Sequence, residues 1–206
     1  MSEQILSVAE ARAIDVDAAT RLGMPTVLLM ENAARAVADV ARSLAERFVI
    51  LAGTGNNGGD ALAAARHLGR ERCVVHLLGE PDAVRAPDAA LQVRILRAAG
   101  WPLVVGVVPD PALVAGSCWV DGLFGTGLAR ELVGAPRAWV EACNRAAGPR
   151  LAIDVPSGLH GDTGAVLGAA VRAEVTVTFV AKKRGMVVGE GPRLCGRVVV
   201  AGLGLP

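Results

Sequence analysis

Two stretches with helical periodicity open the chain. Ser7-Val8-Ala9-Glu10 has the pattern of a capping box, and apolar residues then recur at helical spacing as far as Gly23. A second helix is predicted over about 26–47, and its many alanines indicate close packing against a neighbouring element. The sequence therefore predicts two helices ahead of the first strand.

From Phe48 onwards, short apolar runs alternate with helical patterns. Strands that are apolar at nearly every position and are separated by helices are typical of a parallel sheet that is covered on both faces. We predict an α/β protein with a three-layer αβα Rossmann-like fold, a mostly parallel sheet and two N-terminal helices, in a single domain over 1–206. The predicted strands are 48–52, 73–78, 103–107, 117–120, 151–155, 175–180 and 197–201, and the predicted helices between them are 60–68, 88–99 and 137–147.

Composition and charge restrict the classes of function. The chain has 206 residues, a net charge of +1 and only 3% aromatic residues, which argues against nucleic-acid binding. No uncharged stretch approaches the roughly 18 residues that cross a bilayer. The first residues lack the basic and then apolar order of a signal peptide. We expect a soluble cytoplasmic protein that binds neither nucleic acid nor membrane.

The most informative segment is the run GTGNNGGD at 53–60, which follows a predicted strand and opens a predicted helix. It contains the G-x-G-x-x-G pattern, whose glycines let backbone N–H groups approach a phosphate at the N-terminus of a helix. The plainer interpretation is a glycine-rich turn with nothing bound. The side-chain oxygens of Asn56, Asn57 and Asp60 exceed what a phosphate needs, and they suit a hard cation or a sugar hydroxyl.

Two further polar, glycine-rich loops follow predicted strands. One begins at Asp121 and continues through 122–128, and the other begins at Asp154 and continues through 155–164. Ligands of open parallel sheets bind outside the carboxyl ends of the strands, so we expect these loops and 53–60 to converge on one crevice. Asp121 alone is also explained as a turn former or a helix cap. Asp154 follows a run that is expected to be buried, which makes it the stronger candidate for chemistry.

The histidines carry less functional signal. His76 lies within an apolar strand and is predicted to be a core residue with one hydrogen-bond partner. His67, late in its helix, is explained by the favourable position of a cation near the last carbonyls. His160 is in a loop, where a solvated side chain is the simpler interpretation.

In combination, these motifs resemble those of the YjeF N-terminal domain family, which contains the NAD(P)HX epimerases. The resemblance rests on GNNGGD at 55–60, on Asp121 ahead of GTG at 125–127, and on DVPSG at 154–158. It extends over essentially the whole chain, since LMENA at 29–33 and Lys183 in the late loop are also similar to family motifs. It implies an epimerase that interconverts the R and S forms of hydrated NADH and NADPH. Because of this interconversion, a partner dehydratase that acts only on the S form can repair the material of both epimers.

The resemblance also implies the site. Asn57, Asp121 and Ser157 would bind a potassium ion that organises the loops and offsets carboxylate charge. For the acid/base group we choose Asp154, with Asp121 as the alternative. The residues that would contact NAD(P)HX are Asn56, Asn57, Gly58, Gly59 and Asp60, then Gly125, Thr126, Gly127, Leu128, Ala129, Arg130 and Glu131, and finally Asp154.

Several alternatives stay open. Arg184 stands where the family usually has proline, so the basic loop 182–184 either favours the additional phosphate of NADPHX or is simply solvated. A NAD-dependent dehydrogenase with Glu80 as the ribose-binding acid, and a non-catalytic dimerisation module, are the competing functions. We also expect a homodimer through the alanine-rich N-terminal helices, although packing onto the sheet explains the same alanines.

Overall fold

A seven-stranded parallel sheet forms the centre of the molecule. The structure is a computed structural model that describes residues 4–112 and 116–206; parts of the predicted domain, 1–3 and 113–115, lie outside the described residues. The large sheet has the strand order β4-β3-β2-β5-β6-β7-β9, and every neighbouring pair is parallel. The strands are β1 (Ile5–Leu6), β2 (Phe48–Ala52), β3 (Cys73–Leu77), β4 (Leu103–Val105), β5 (Cys118–Gly122), β6 (Arg150–Ile153), β7 (Val175–Phe179), β8 (Lys182–Lys183) and β9 (Arg197–Ala201).

Helices cover both faces of this sheet, which confirms the predicted three layers. Alternate residues of β2 point into opposite cores: Phe48 and Ile50 pack with α2, α3 and α4, whereas Val49 and Leu51 pack with α5. The described residues contain no helix that is both long and apolar enough to cross a membrane. The helices are α1 (Val8–Thr20), α2 (Thr26–Arg42), α3 (Asn56–Leu68), α4 (Pro87–Ala98), α5 (Gly134–Arg145) and α6 (Gly191–Leu194).

The two largest differences from the predicted helix boundaries are the end of α2 and the start of α3. α2 ends at Arg42 rather than at 47, because the chain must turn there to enter β2 at Phe48. α3 begins at Asn56 rather than at 60, so half of the glycine-rich segment forms the first turn of a helix instead of a loop. Close packing of this turn against β2 and β5 overrides the low helix propensity of glycine.

The sequence also missed a small second sheet. β1 pairs in parallel with β8, with Ile5 opposite Lys182 and Leu6 opposite Lys183. Strands of two residues have too little periodicity to be recognised in a sequence. α1 follows β1 directly and begins with the predicted capping box, in which the Ser7 hydroxyl accepts from the Glu10 N–H at 3.2 Å.

The alanine-rich face of α2 is buried within a single chain. Ala34, Val37, Ala38 and Ala41 are fully buried, and the cluster to which they belong includes alanines of α3. Packing inside the fold therefore explains these alanines without a second copy of the chain. The homodimer stays a prediction, and the buried alanine-rich face of α2 is not available for its interface.

His76 is a core residue, as predicted. It is buried in β3, its Nδ1 lies 3.2 Å from the Val107 carbonyl oxygen, and its ring meets that of Trp139 edge-on at 6.1 Å. Burial lowers the pKa of His76 below its ordinary value of 6.5. The neutral imidazole is thus the form that the fold accommodates.

This burial predicts an acid-sensitive stability. Because the unfolded chain binds a proton at His76 more readily than the folded chain does, stability falls as the pH drops through the ordinary histidine range. His76→Phe keeps an aromatic ring and removes the titration. Chemical denaturation of both proteins between about pH 7.5 and about pH 5.5 should show a larger loss of unfolding free energy in the wild type. Equal losses in the two proteins would contradict this role.

Candidate functional site

A cleft of about 770 Å³ lies at the carboxyl ends of the central strands. The structure brings all three predicted loops to its wall: 54–57 after β2, 123–130 after β5, and Asp154 after β6. Of the predicted ligand contacts, Asn56, Asn57, Asp60, Asp154 and most of the 125–131 loop line the cleft.

Other parts of the wall come from elements that the sequence did not assign to the site. Arg12 and Asp15 of α1, Thr26 at the start of α2, and Arg85 and Asp88 near α4 face the cleft. No short motif marks these positions. These residues reach the cleft through the packing of α1 and α4, which a single sequence does not show.

α1 is fastened to the predicted loops at two places. The Arg12 guanidinium donates to the Thr126 carbonyl oxygen at 3.2 Å. At the first turn of α1, the Val8 N–H donates to Asp162 Oδ1 at 2.8 Å. The N-terminal helix is therefore part of the wall that a ligand would meet.

Asp121 and Ser157 form a buried network beneath the cleft. Asp121 Oδ1 accepts from the Ser157 hydroxyl at 2.6 Å and from the Leu123 N–H at 3.2 Å, and Oδ2 accepts from the Ser157 N–H at 2.8 Å. Both residues have no exposed surface. Burial raises the pKa of Asp121 to about 6, against the lowering effect of these hydrogen bonds. Asp121 does not line the cleft. Its position therefore suits the predicted role of holding a cation better than the alternative role of acid/base group.

Asn57 lines the cleft at the first turn of α3. Its Nδ2 atom is buried without a hydrogen-bond partner, and its Oδ1 atom lies 3.2 Å from where a Cβ on Gly125 would be. Exchange of the amide oxygen and nitrogen would place an oxygen, in place of the nitrogen, at this buried position without a partner. Together with the Asp121 carboxylate and the Ser157 hydroxyl, this makes a set of oxygen donors that fits a potassium ion. Among residues 4–112 and 116–206, no three His, Cys, Asp or Glu side chains cluster as a metal site.

Asp154 is held in a strained backbone conformation at the end of β6. Its φ is 67°, in the left-handed region that residues with a side chain seldom adopt. Asp154 Oδ2 accepts from the Thr126 N–H at 3.1 Å, and Oδ1 forms a salt bridge of 2.6 Å with Lys183 Nζ. Such strain persists only where the surroundings impose it, and it is concentrated at functional sites.

Asp60 is a second carboxyl group on the cleft. Burial is the main cause that raises its pKa well above the ordinary value, and the charges of Asp154, Asp15 and Asp88 add to the effect. Burial likewise raises the pKa of Asp15, again with help from Asp154. The cleft thus concentrates carboxyl groups, and both burial and mutual repulsion disfavour the charged forms of Asp60 and Asp15.

Gly58 and Gly59 do not line the cleft. A Cβ on Gly58 would lie 2.0 Å from the Gly53 carbonyl oxygen, and one on Gly59 would lie 2.4 Å from the Met30 methyl carbon. These two glycines therefore let α3 approach the sheet and α2. Their predicted contact with the ligand stays a prediction, as does that of Glu131, which is exposed and outside the cleft wall.

Two residues of the basic loop 182–184 have acidic partners, and its predicted preference for the additional phosphate of NADPHX stays a prediction. Lys183 is committed to Asp154, and Arg184 forms a salt bridge of 3.2 Å with Glu10 on α1. Glu80, the candidate ribose ligand of a dehydrogenase, pairs with Arg97 and does not line the cleft.

The close approach at Gly58 predicts a loss of stability on substitution. Gly58→Ala should lower the free energy of unfolding by about 1–3 kcal/mol, because backbone atoms must move to admit the methyl group. Gly55→Ala is the matched control, since a Cβ there meets nothing within 4 Å. Urea denaturation compares the two variants, and a Gly58→Ala protein as stable as Gly55→Ala would contradict the packing role.

The fold and the motifs agree with known proteins. A family model described as "YjeF-related protein N-terminus" matches residues 27–185. The crystal structure of yeast ynu0 superimposes with a TM-score of 0.75 at 24% identity, covering 96% of this chain and 87% of that one. At that identity the structural likeness supports the fold alone.

Curated relatives cover nearly the whole chain. The NAD(P)H-hydrate epimerase of Limosilactobacillus fermentum is 38% identical over 98% of this chain and 97% of its own length. The NAD(P)H-hydrate epimerase of Rhodopirellula baltica is 40% identical over 95% of this chain and 82% of its own length. The bifunctional NAD(P)H-hydrate repair enzyme Nnr of Salinibacter ruber is 39% identical over 98% of this chain, which spans 41% of that protein. The chain belongs to the family of YjeF-related N-terminal proteins.

Proposed function

We propose that this protein is an NAD(P)H-hydrate epimerase, an isomerase that interconverts the R and S forms of hydrated NADH and NADPH. The observation that carries the proposal is the convergence of three family motifs on one cleft. The carboxylate of Asp154, a residue with a strained backbone, lies on the wall of this cleft. The similarity to epimerases along their whole length supports the same activity.

The cleft suits a dinucleotide. Its volume of about 770 Å³ is within the usual range for a ligand of this class. The first backbone N–H groups of α3 have no partner within the helix. At the N-terminus of a helix, such groups are available to bind an anion such as a phosphate. Arg12, Arg85 and Arg130 add positive charge around the same opening. We assign the diphosphate to this region and the hydrated nicotinamide ring to the Asp154 side.

The chemistry needs a group that gives and then takes a proton. Protonation of the C6 hydroxyl lets the C–O bond break, with its electron pair leaving on water and the ring nitrogen stabilising the resulting cation. Water then adds to C6 from either face and returns a proton. Asp154 is our choice for this group because it faces the cleft, whereas Asp121 is buried beneath it.

A potassium ion is the proposed cofactor. Asn57, Asp121 and Ser157 would hold it, and the ion would supply positive charge that offsets the buried carboxylate next to an anionic substrate. The unpartnered amide of Asn57 supports this assignment.

The proposed functional partner is an NAD(P)H-hydrate dehydratase. The Salinibacter ruber relative is a longer bifunctional NAD(P)H-hydrate repair enzyme, of which this chain spans 41%. A dehydratase specific for the S form needs a supply from the R form, and this protein would provide it. The homodimer and the cytoplasmic location stay predictions.

Asp154→Asn tests the acid/base assignment. The amide keeps the size of the side chain and can neither give nor take a proton, so epimerisation should fall by at least about 100-fold. Substrate affinity should change little, because the remaining contacts are untouched. Epimer ratios followed by chromatography give the rate, and ligand-induced thermal shifts give the affinity.

Asp88→Asn serves as a matched control, since Asp88 also lines the cleft and accepts a hydrogen bond from the Thr26 hydroxyl, with no hydrogen bond or ion pair to Asp154 or Lys183. It should keep most of the activity. Turnover retained in Asp154→Asn would overturn the role of Asp154.

Binding of potassium predicts a stabilisation by mass action. At ten times the dissociation constant, the ion should add about 1.4 kcal/mol to the unfolding free energy, seen as a rise in Tm in potassium chloride over choline chloride at equal ionic strength. Asn57→Leu should lose this rise, whereas Asn56→Leu, altered at the exposed neighbouring asparagine, should keep it. A wild type indifferent to potassium would refute the cation site.

A further inference from the structure

Lys183 is buried at the edge of the cleft with its charge fully engaged. Only 3% of the residue is exposed. Its ammonium lies 2.6 Å from Asp154 Oδ1, and donates to Thr178 Oγ1 at 2.9 Å and to the Phe179 carbonyl oxygen at 3.2 Å. An ammonium has three protons, so these three acceptors account for all of them. Lys183 has no donor left for a substrate and can act only through its neighbours.

The contacts of Lys183 adjoin two strained residues. Among the described residues, Asp154 with φ 67° and Val180 with φ 55° are the non-glycine residues with positive φ. Lys183 bonds the side chain of the first and the carbonyl group that directly precedes the second. Each such conformation costs about 1–3 kcal/mol and is kept only where other contacts impose it. The lysine supplies such contacts at both places.

The backbone of Lys183 is itself fixed by the N-terminal segment. β8 pairs in parallel with β1, which places Leu6 opposite Lys183, and the Lys182 N–H donates to the Gln4 carbonyl oxygen at 3.2 Å. Thr178 and Phe179 belong to β7 of the large sheet. Lys183 therefore joins the small sheet to the large one at the point where Asp154 meets the cleft.

We propose that Lys183 is a positioning residue for epimerisation, one that fixes the Asp154 carboxylate in the orientation that exchanges a proton with the substrate. Lys183 holds Oδ1 and the Thr126 N–H holds Oδ2, so the plane of the carboxylate cannot rotate. The same two contacts fix the directions in which the remaining lone pairs of the carboxylate oxygens can accept a proton. This inference rests on the proposed function, because it concerns the same reaction.

The test compares three variants in an assay with excess S-specific dehydratase. Lys183→Met removes the ammonium at similar length, and should lower kcat by about 100-fold with KM changed by less than about threefold, because misplacement affects the reacting group more than binding. Lys183→Arg restores a cation and should regain about tenfold of kcat despite its different geometry. Lys182→Met, on the same strand but outside the cleft wall, should retain wild-type kcat.

Thr178→Val covers the possibility that Lys183→Met fails to fold. It keeps the ion pair and removes one acceptor that aims the lysine, so kcat should fall without a matching change in KM. Unchanged kcat in a folded Lys183→Met or, failing that, in Thr178→Val would overturn the proposal. An equal loss in Lys182→Met would also overturn it, as general damage to β8. If the wild type itself does not epimerise, the proposed function fails. If the wild type is active and the variants keep its kcat, only the role of Lys183 fails.

Discussion

Burial of the Asp121 carboxylate is the constraint on which the arrangement of the cleft depends. A carboxylate without solvent contact is costly unless hydrogen bonds satisfy it. Asp121 obtains them from the Ser157 backbone and hydroxyl and from the Leu123 N–H. The same hydroxyl accepts from the Phe124 N–H at 2.8 Å. The loop after β5 and the loop after β6 are thereby tied to one buried charge, and Asp154 between them inherits a fixed position.

Close backbone contacts hold the third loop to the other two. The Gly53 N–H donates to the Gly122 carbonyl oxygen at 3.0 Å, and a Cβ on Gly53 would lie 1.8 Å from the Leu123 carbonyl oxygen. With Gly58 equally close to Gly53, the glycines allow α3 to begin directly beside the end of β5. Asn57 and Asp60 then face the cleft because α3 starts where it does. The glycine pattern thus shapes the cleft through packing.

Much of this was predictable because local patterns coincide with the global fold. The apolar runs of β2, β5 and β6, and the polar residues at their ends, place the three loops on one edge of a parallel sheet. The contribution of α1 to the wall was not predictable, since Arg12 and Asp15 lie on this helix without any motif. The partner of Lys183 was equally hidden, because Asp154 is distant in sequence and β1 and β8 are too short to show periodicity. Long-range packing decides such contacts, and a single sequence carries no local sign of them.

The most direct test of the account is recovery of NADH from a mixture of R and S hydrates by an S-specific dehydratase, with and without this protein. With the protein present, the account predicts complete recovery, faster in potassium than in choline salts. Without it, recovery should stop at the S fraction. Recovery that stops at the S fraction even with the protein present would contradict the epimerase assignment, and a non-catalytic interaction module would then be the better explanation of the cleft.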